Sequence, residues 1–504
     1  MITDLKNELS NTKQLTENGA VGYMTTGKEL LDLNFKTSSL RNKSEDEIFK
    51  LFLKAFHEDK LLAIKWLFFM RDAREGMGER RSFRIILNGL GHQHPTIAKE
   101  LISLVPEYGR WDDLYSLMDG DLTEYVVDFI YQQLQEDCGN YLNKKPISLL
   151  AKWLPKESTK KYKKVYNILL KKFGMTPKEY RRIISDLRKY LDVVEVKMSA
   201  NEWNKVNYNT IPSKANLLYK DAFLRHDKER RNEYLNDLKN GNNNAKINAK
   251  VLMPHEIVHR YMDKYEWGDI DDFDESLEQL WKALPNYVNS EGFSMFVRDG
   301  SYSMTTKIGN TNITCLDIST ALAIYFSEHC KGEYKDNFIT FSNRPKVIDL
   351  SNCSSLREKI EKCHAEDDCS NTDIYKVFKL ILDTAVNNKY TQEQLPKNIV
   401  VVSDMEFDDA TTTSDYQTLF ETIQAEYLLH GYDLPRLVFW NVCSRTGAIP
   451  LKTNKNGVCL VSGFNPTIMD MVLSGELDPY KCLVNKLNSS RYDAVEKAVK
   501  NLLN

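Results

Sequence analysis

The spacing of apolar residues changes once along this chain, near residue 285, and that change limits the fold more than any single motif does. From about 45 to 235, apolar positions recur every three or four residues in segments such as DEIFKLFLKAF, RSFRIILNGL and TIAKELISLV, with brief turns between them. This is the rhythm of stacked amphipathic helix pairs. Beyond 285 the apolar residues gather into short continuous runs: FSMFV (293–297), NFITFS (337–342), NIVVVSD (398–404), RLVFWNV (436–442) and VCLVSG (458–463). Helical segments at 316–330, 373–386 and 416–429 separate them. Continuous apolar strands alternating with helices imply a parallel sheet covered on both faces. The expected fold is therefore α plus α/β, in three parts. Residues 1–44 form an N-terminal extension, 45–285 an α-helical repeat domain, and 286–504 a doubly wound, Rossmann-like domain with C-terminal helices.

Composition narrows the partners. The longest apolar run, LLAIKWLFFM at 61–70, is interrupted by Lys65 and followed by Arg71, so no membrane span is expected. The first twenty residues mix acids and amides and lack the basic-then-apolar order of a secretory signal. Nine cysteines without CxxC spacing read as reduced thiols, and a cytoplasmic location follows. The net charge of −3 conceals an asymmetry: residues 151–250 hold about 24 Lys and Arg against about 11 Asp and Glu, whereas 251–300 hold about 4 against about 11. So local an excess attracts a polyanion even on a mildly acidic chain.

Two consecutive helices carry most of that excess. In KKYKKVYNILLKKFGM, Tyr162, Val165, Leu169 and Phe173 face inward, Lys160, Lys161, Lys163, Lys164, Lys171 and Lys172 face outward, and Gly174 closes the helix. In PKEYRRIISDLRKYL, Tyr180, Ile183, Ile184, Leu187 and Leu191 form the apolar stripe opposite Arg181, Arg182, Arg188 and Lys189. Phosphate contact is the functional expectation for this face, and a solvated surface the plain one. Arg71, Arg74, Arg80 and Arg81 flank Gly76 and Gly78. There a helix corner is expected, with at least half the arginines paired to Asp72, Glu75 and Glu79 and Arg74, Arg80 and Arg81 as further RNA candidates. Trp111, Trp153 and Trp203 are expected to be core anchors before they are base-stacking platforms.

The chemistry-bearing residues of the second half lie where strands end. Asp299-Gly300-Ser301-Tyr302-Ser303 follows the first strand, Thr372 opens a later helix, and Asp404 ends NIVVVSD. Hydroxyl and carboxylate oxygens without nitrogen or sulfur suit a hard divalent cation, Mg2+ or alternatively Ca2+ or Mn2+. A mostly neutral ligand shell leaves such a cation able to accept a partner's carboxylate. Two weaker metal readings stand beside it. Cys353, Cys363 and Cys369 near His364 fit no common zinc spacing. His255, Glu256 and His259 spell His-Glu-Ile-Val-His, the zinc-peptidase helix pattern. With no phosphate-binding loop, nucleophile elbow or paired catalytic carboxylates, the chain is not expected to be an enzyme.

Asp299, Ser301, Ser303, Thr372 and Asp404, in that order, resemble the metal-ion-dependent adhesion site of the von Willebrand factor A domain. The departures are Arg298 in an apolar strand position and Cys369-Ser370-Asn371 in place of glycines. FMRDAREGMGERRSF (69–83), EYGRWDDL (107–114), AKWLPKE (151–157) and EWNKVNYNTIPSKANLLYKDAFLRHD (202–227) resemble the helical-repeat module of the Ro (TROVE) RNA-binding proteins and a related family of uncharacterised viral and cellular proteins. The resemblance implies a HEAT-like ring or arc of helices followed by an A domain. It also implies single-stranded RNA ends or small structured RNA as partners, and a ribonucleoprotein role in holding small or misfolded RNA. A protein–protein scaffold is the alternative, with a zinc peptidase a remote one.

Overall fold

The computed structural model describes residues 13–263, 270–288, 294–367, 372–407, 416–450, 458–473 and 476–503. The protein is mostly helical, with one larger mixed sheet in its second half. The described residues fall into two compact units. One draws on Met1–Leu62 and Leu252–Asn488, the other on Ala63–Val251 and Ser489–Asn504. Divided along the chain at 45 and 286, the sequence separates segments that the structure packs together.

In the sheet unit, β1 (Lys13–Leu15) and β2 (Val21–Tyr23) form an antiparallel hairpin. The main sheet contains β3 (Ser294–Asp299), β4 (Asn337–Phe341), β5 (Val347–Asp349), β6 (Asn398–Ser403), β7 (Arg436–Asn441) and β8 (Val458–Ser462) in the order β5-β4-β3-β6-β7-β8. All neighbours run parallel except β5, which pairs antiparallel with β4. Every residue of β3, β6 and β7 is buried, the physical reason their sequences are apolar without alternation. The five expected strands are present. β5 escapes detection because three residues are too few for a period. From β3 the chain builds outward to one side through β4, and from β6 to the other through β7 and β8. The order therefore reverses between β3 and β6, and a doubly wound sheet opens a crevice at the carboxyl ends of those two strands.

The helix Cys315–His329 is apolar nearly all round because it is buried on nearly all sides, against β3 and against the helix Pro254–Met262. Residues 13–42, an extension by sequence, belong to this core: Leu30, Leu31, Leu33 and Phe35 are buried. They join the β8 edge, where the Ser462 hydroxyl donates to Ser38 Oγ at 2.9 Å and Asn441 Nδ2 donates to the Phe35 carbonyl at 2.8 Å. The acidic stretch 267–279 reads as a connecting segment, but its described part contains the start of a helix, Glu275–Lys282. There the buried Glu278 accepts from Leu356 N at 2.8 Å and Arg357 N at 3.2 Å, so its charge meets the N-terminus of the helix Leu356–Ala365 instead of solvent.

The helical unit includes the helices Arg81–Gln93, Thr123–Leu142, Lys163–Phe173, Pro177–Tyr190, Ser213–His226 and Lys228–Asn240, together with Asp493–Val499. The corner after Arg71 forms as expected. A Cβ on Gly76 would fall 2.0 Å from the Phe69 carbonyl oxygen, so only glycine fits. Its arginines, however, find distant partners. Buried Arg71 pairs with Asp113 at 2.8 Å, and Asp72 takes Arg491 at 2.7 Å. Gly174 adopts the expected left-handed cap at φ 61°, and Thr176 with Glu179 forms the capping box that starts the next helix. Among the described residues, no helix is long and apolar enough to cross a membrane.

Candidate functional site

At the β3–β6 crevice the ends of both strands are shaped by their own side chains. Asp299 is buried; its Oδ1 accepts from Ser301 N at 3.0 Å and its Oδ2 from the Ser403 hydroxyl at 2.6 Å. The first bond folds the Asp-Gly-Ser turn back on the strand, placing Ser301 Oγ 3.0 Å from Ser303 Oγ. After β6 the chain turns through Met405, a buried residue at φ +62°. Such a conformation is costly for a side-chain-bearing residue and persists where its surroundings over-determine it. Asp404, one residue earlier, accepts from Glu406 N at 3.2 Å through Oδ1. Its buried Oδ2 makes no hydrogen bond among the described residues, and an Arg445 nitrogen stands 3.4 Å away.

The electrostatics follow from this geometry. Burial, reinforced by the neighbouring Asp299, pushes the Asp404 carboxyl up to about 7. Burial raises Asp299 as well. Both carboxylates are desolvated, with Arg445 beside Asp404, and carboxylate and hydroxyl oxygens are the donor types that could hold a hard divalent cation. The sheet brings Asp299 beside Asp404, and the turn after β3 brings Ser301 beside Ser303. Thr372 is buried just ahead of the helix Ile374–Asn388, and residues 368–371 before it lie outside the described residues.

The two departures in the motif have different outcomes. Cys369-Ser370-Asn371 falls outside the described residues. Arg298 is fully buried and reaches behind the Asp-Gly-Ser turn to Asp367, with Nη1 donating to Oδ1 at 2.6 Å and Nη2 to Oδ2 at 3.1 Å. Asp367 sits so close to Gly300 that a Cβ there would lie 2.1 Å from its Oδ1. The arginine and the glycine are one device: the guanidinium holds a carboxylate against the turn, and the missing side chain leaves room for it. Burial opposes ionisation of Asp367, but Arg298 overcomes it and holds the carboxyl below its ordinary value.

Sequence reasoning passed over Glu406, Arg445 and the β1–β2 hairpin. Buried Glu406 accepts from Arg445 N at 2.7 Å, Thr446 N at 2.9 Å and, in the hairpin, Glu17 N at 2.9 Å. Arg445 pairs with Glu17 and donates to Thr306 Oγ1 at 2.6 Å. The only signal in sequence was the short spacing from Asp404 to Glu406. Their partners, at 17 and 445, come from opposite ends of the chain.

In the helical unit, Lys160, Lys161, Lys163, Lys164 and Lys171 are exposed and have no acidic partner among the described residues, and exposed Arg182 has Glu179 within electrostatic reach. Lys161 lies over the Tyr162 ring at 5.4 Å and Lys163 over Tyr166 at 5.2 Å. The other candidates are engaged. Lys172 pairs with Asp128, Arg181 with Glu157 at 3.1 Å, and Arg74 with Glu107 at 3.3 Å. Arg188 is half-buried, donating to the carbonyls of Ala151 and Leu154 at 2.8 Å each. Arg80 and Arg81 are exposed at the start of the helix Arg81–Gln93.

The chain is similar to two families of unknown function. Residues 16–133 and 170–293 match a family described as Domain of unknown function (DUF2828), and residues 294–501 match Domain of unknown function (DUF7788). Uncharacterized protein L728 of Acanthamoeba polyphaga mimivirus is 28% identical over 516 residues, covering 94% of this chain and 86% of that protein. Among solved structures, the Deinococcus radiodurans RO (RSR) protein aligns over 91% of this chain and 92% of its own, with a TM-score of 0.36 and 9% identity.

The remaining motif residues have structural partners. His259 Nδ1 lies 3.0 Å from Asp317 Oδ2, and the bond raises the histidine pKa, while buried His255 packs edge-on to Phe464. Cys363 is buried on the helix Leu356–Ala365, and Cys369 lies outside the described residues. His364 contacts Asp367 at 2.9 Å. Among the described residues, no group of three or more His, Cys, Asp or Glu is placed to hold a metal. Trp111 is buried and stacks on Phe129, as a core anchor does, whereas Trp203, stacked on His226, and Trp153, with the Arg110 guanidinium over its ring at 3.9 Å, are half-buried.

Proposed function

We propose that this chain is a Ro-like RNA-binding protein. In this reading the helical unit is a HEAT-like ring or arc whose basic face holds small non-coding or misfolded RNA, without catalysis, in a cytoplasmic ribonucleoprotein. One observation carries it: five exposed lysines between 160 and 171, Lys160, Lys161, Lys163, Lys164 and Lys171, have no acidic partner among the described residues. Cations that bind phosphate have to be free of internal carboxylates, and a structural charge network would have paired them. The test is the salt dependence of RNA affinity. Reversing Lys160, Lys161, Lys163 and Lys164 to glutamate is expected to weaken binding of every RNA sequence, and to flatten the salt slope by about 0.7 per lost single-strand phosphate contact. Affinity and slope that survive the reversal refute this placement of the RNA surface.

The sheet unit supports a second role alongside it. Asp299, Ser301, Ser303 and Asp404, with Thr372, are assigned to a Mg2+ or similar divalent cation. Its mostly neutral shell would brace the crevice or accept a carboxylate from a protein partner. What favours it is the buried Oδ2 of Asp404, which has no hydrogen bond among the described residues and only the ion pair to Arg445 at 3.4 Å. A metal-dependent adhesion module acting alone, with incidental basic helices, is the competing form. It is favoured if chelation abolishes protein binding and RNA binding is absent.

A further inference from the structure

Three helices of the helical unit frame a cavity of about 1140 Å³, and none of Lys160, Lys161, Lys163, Lys164 or Lys171 lines it. Ile184 comes from the helix Pro177–Tyr190, Val196 from Val194–Ser199, and Ala215 and Leu218 from Ser213–His226. The floor is built from behind. Val194 and Ala215 share one core with Val206, Tyr208 and Phe223, so the last two helices keep a fixed spacing. A preformed apolar wall loses little freedom when it takes a ligand. At the mouth Leu218 is 60% exposed, and Val193 and Val196 are half-buried, so the apolar lining reaches solvent.

The lining is also basic, with five cations against two acids. Lys152 and Lys156 have no acidic partner among the described residues, and Arg188 is half-buried and donates to the neutral carbonyls of Ala151 and Leu154. Of the acids, Glu157 is paired with Arg181 at 3.1 Å. Glu195 accepts from the Tyr219 hydroxyl at 3.3 Å, and its second oxygen is buried. An apolar floor is thus joined to positive charge that the cavity's own carboxylates leave uncompensated.

That combination selects among occupants. A nucleotide base needs a flat face or a hydrogen-bonding edge, and the aliphatic side chains of Ile184, Val196, Ala215 and Leu218 supply neither. Of the aromatic residues in the lining, Tyr166 and Tyr180 are buried, and Trp153 has the Arg110 guanidinium over its ring. Small-molecule sites run to about 300–1,000 Å³, and this cavity is larger. An amphipathic helix suits both of its parts. Apolar side chains at i, i+3, i+4 and i+7 fill a groove between helices, while acids on the flanks of the same helix meet the lysines. We propose that this cavity is the docking groove for an acidic amphipathic helix of a protein partner, its apolar anchors over Ile184, Val196 and Leu218 and its carboxylates at Lys152 and Lys156. The helical unit thereby has a protein-binding surface distinct from the lysines of 160–171.

A phage-displayed library of random sixteen-residue peptides, selected on the full chain, tests this. The enriched sequences should carry leucine, isoleucine or phenylalanine at helical spacing, together with an excess of aspartate and glutamate. An enriched peptide, labelled with fluorescein and followed by anisotropy, should lose about tenfold or more in affinity to Leu218→Glu, which puts a charge at an exposed anchor position. The pair Lys152→Glu with Lys156→Glu should weaken it likewise. Replacing the peptide's acids by lysine should have the same effect on the unaltered protein, a comparison that no folding defect disturbs. Failure to enrich any sequence, enrichment of basic or uncharged peptides, or an affinity indifferent to both Leu218→Glu and the lysine pair overturns the inference. Displacement of the peptide by a stoichiometric ten-residue oligouridylate also overturns it, and would assign the groove to RNA.

Discussion

Arg298 shows what a single residue reveals and what it conceals. In sequence it is a charged interruption of an apolar strand; in the fold it is a fully buried cation answered by one carboxylate sixty-nine positions later. Removing one member of such a pair leaves the other desolvated and unpaired. Arg298→Met should therefore cost about 3–5 kcal/mol in urea unfolding. The double change Arg298→Met with Asp367→Leu should recover most of that, because both desolvation costs disappear together. A double variant no more stable than the single one would contradict this account. No local rule finds the partner, since charge spacing speaks only for neighbours on one helix or strand. The same limit explains Arg71 and Asp72, adjacent in sequence yet paired with Asp113 and Arg491.

At the scale of elements, the crevice between β3 and β6 converts separated motifs into one site. The strands were legible because burial on both faces demands continuous apolar runs. Their order was not, since nothing local in a strand's sequence states which neighbour it will choose. That order alone brings Asp299 beside Asp404, and from it follows a metal prediction with two opposite signs. Without a divalent cation, Asp404→Asn should stabilise the protein at pH 8 by removing one of two mutually repelling buried carboxylates. With Mg2+ the order should reverse. The unaltered protein gains about 2.7 kcal/mol at a hundred times the dissociation constant, and the variant gains little. Thermal unfolding in Mg2+ and in a chelator reads both signs, and identical shifts for the two proteins would remove the metal from the site. The β1–β2 hairpin went unread for a related reason. Three-residue strands carry no period, and Glu17 has meaning only beside Glu406 and Arg445.

For the whole molecule, each unit is completed by residues from the far end of the chain. The helical unit draws on Ser489–Asn504, where Tyr492, Val495 and Val499 are fully buried and Arg491 answers the buried Asp72. Ending the chain at Asn488 should destabilise that unit by about 5 kcal/mol or more, at 1.5–3 kcal/mol for each large apolar side chain lost from the core. Hydrogen exchange should then show protection falling across 63–251 while β3, β6 and β7 keep theirs; unchanged protection would show the C-terminal segment to be dispensable. The sequence by itself determined the two classes of element, most of their boundaries and the basic face, because periodicity, caps and charge runs act over a few residues. Tertiary structure alone decided which ends of the chain join which unit and which arginine meets which carboxylate. Those outcomes depend on contacts between residues far apart in sequence, where local chemistry sets what each side chain can accept but not what will arrive.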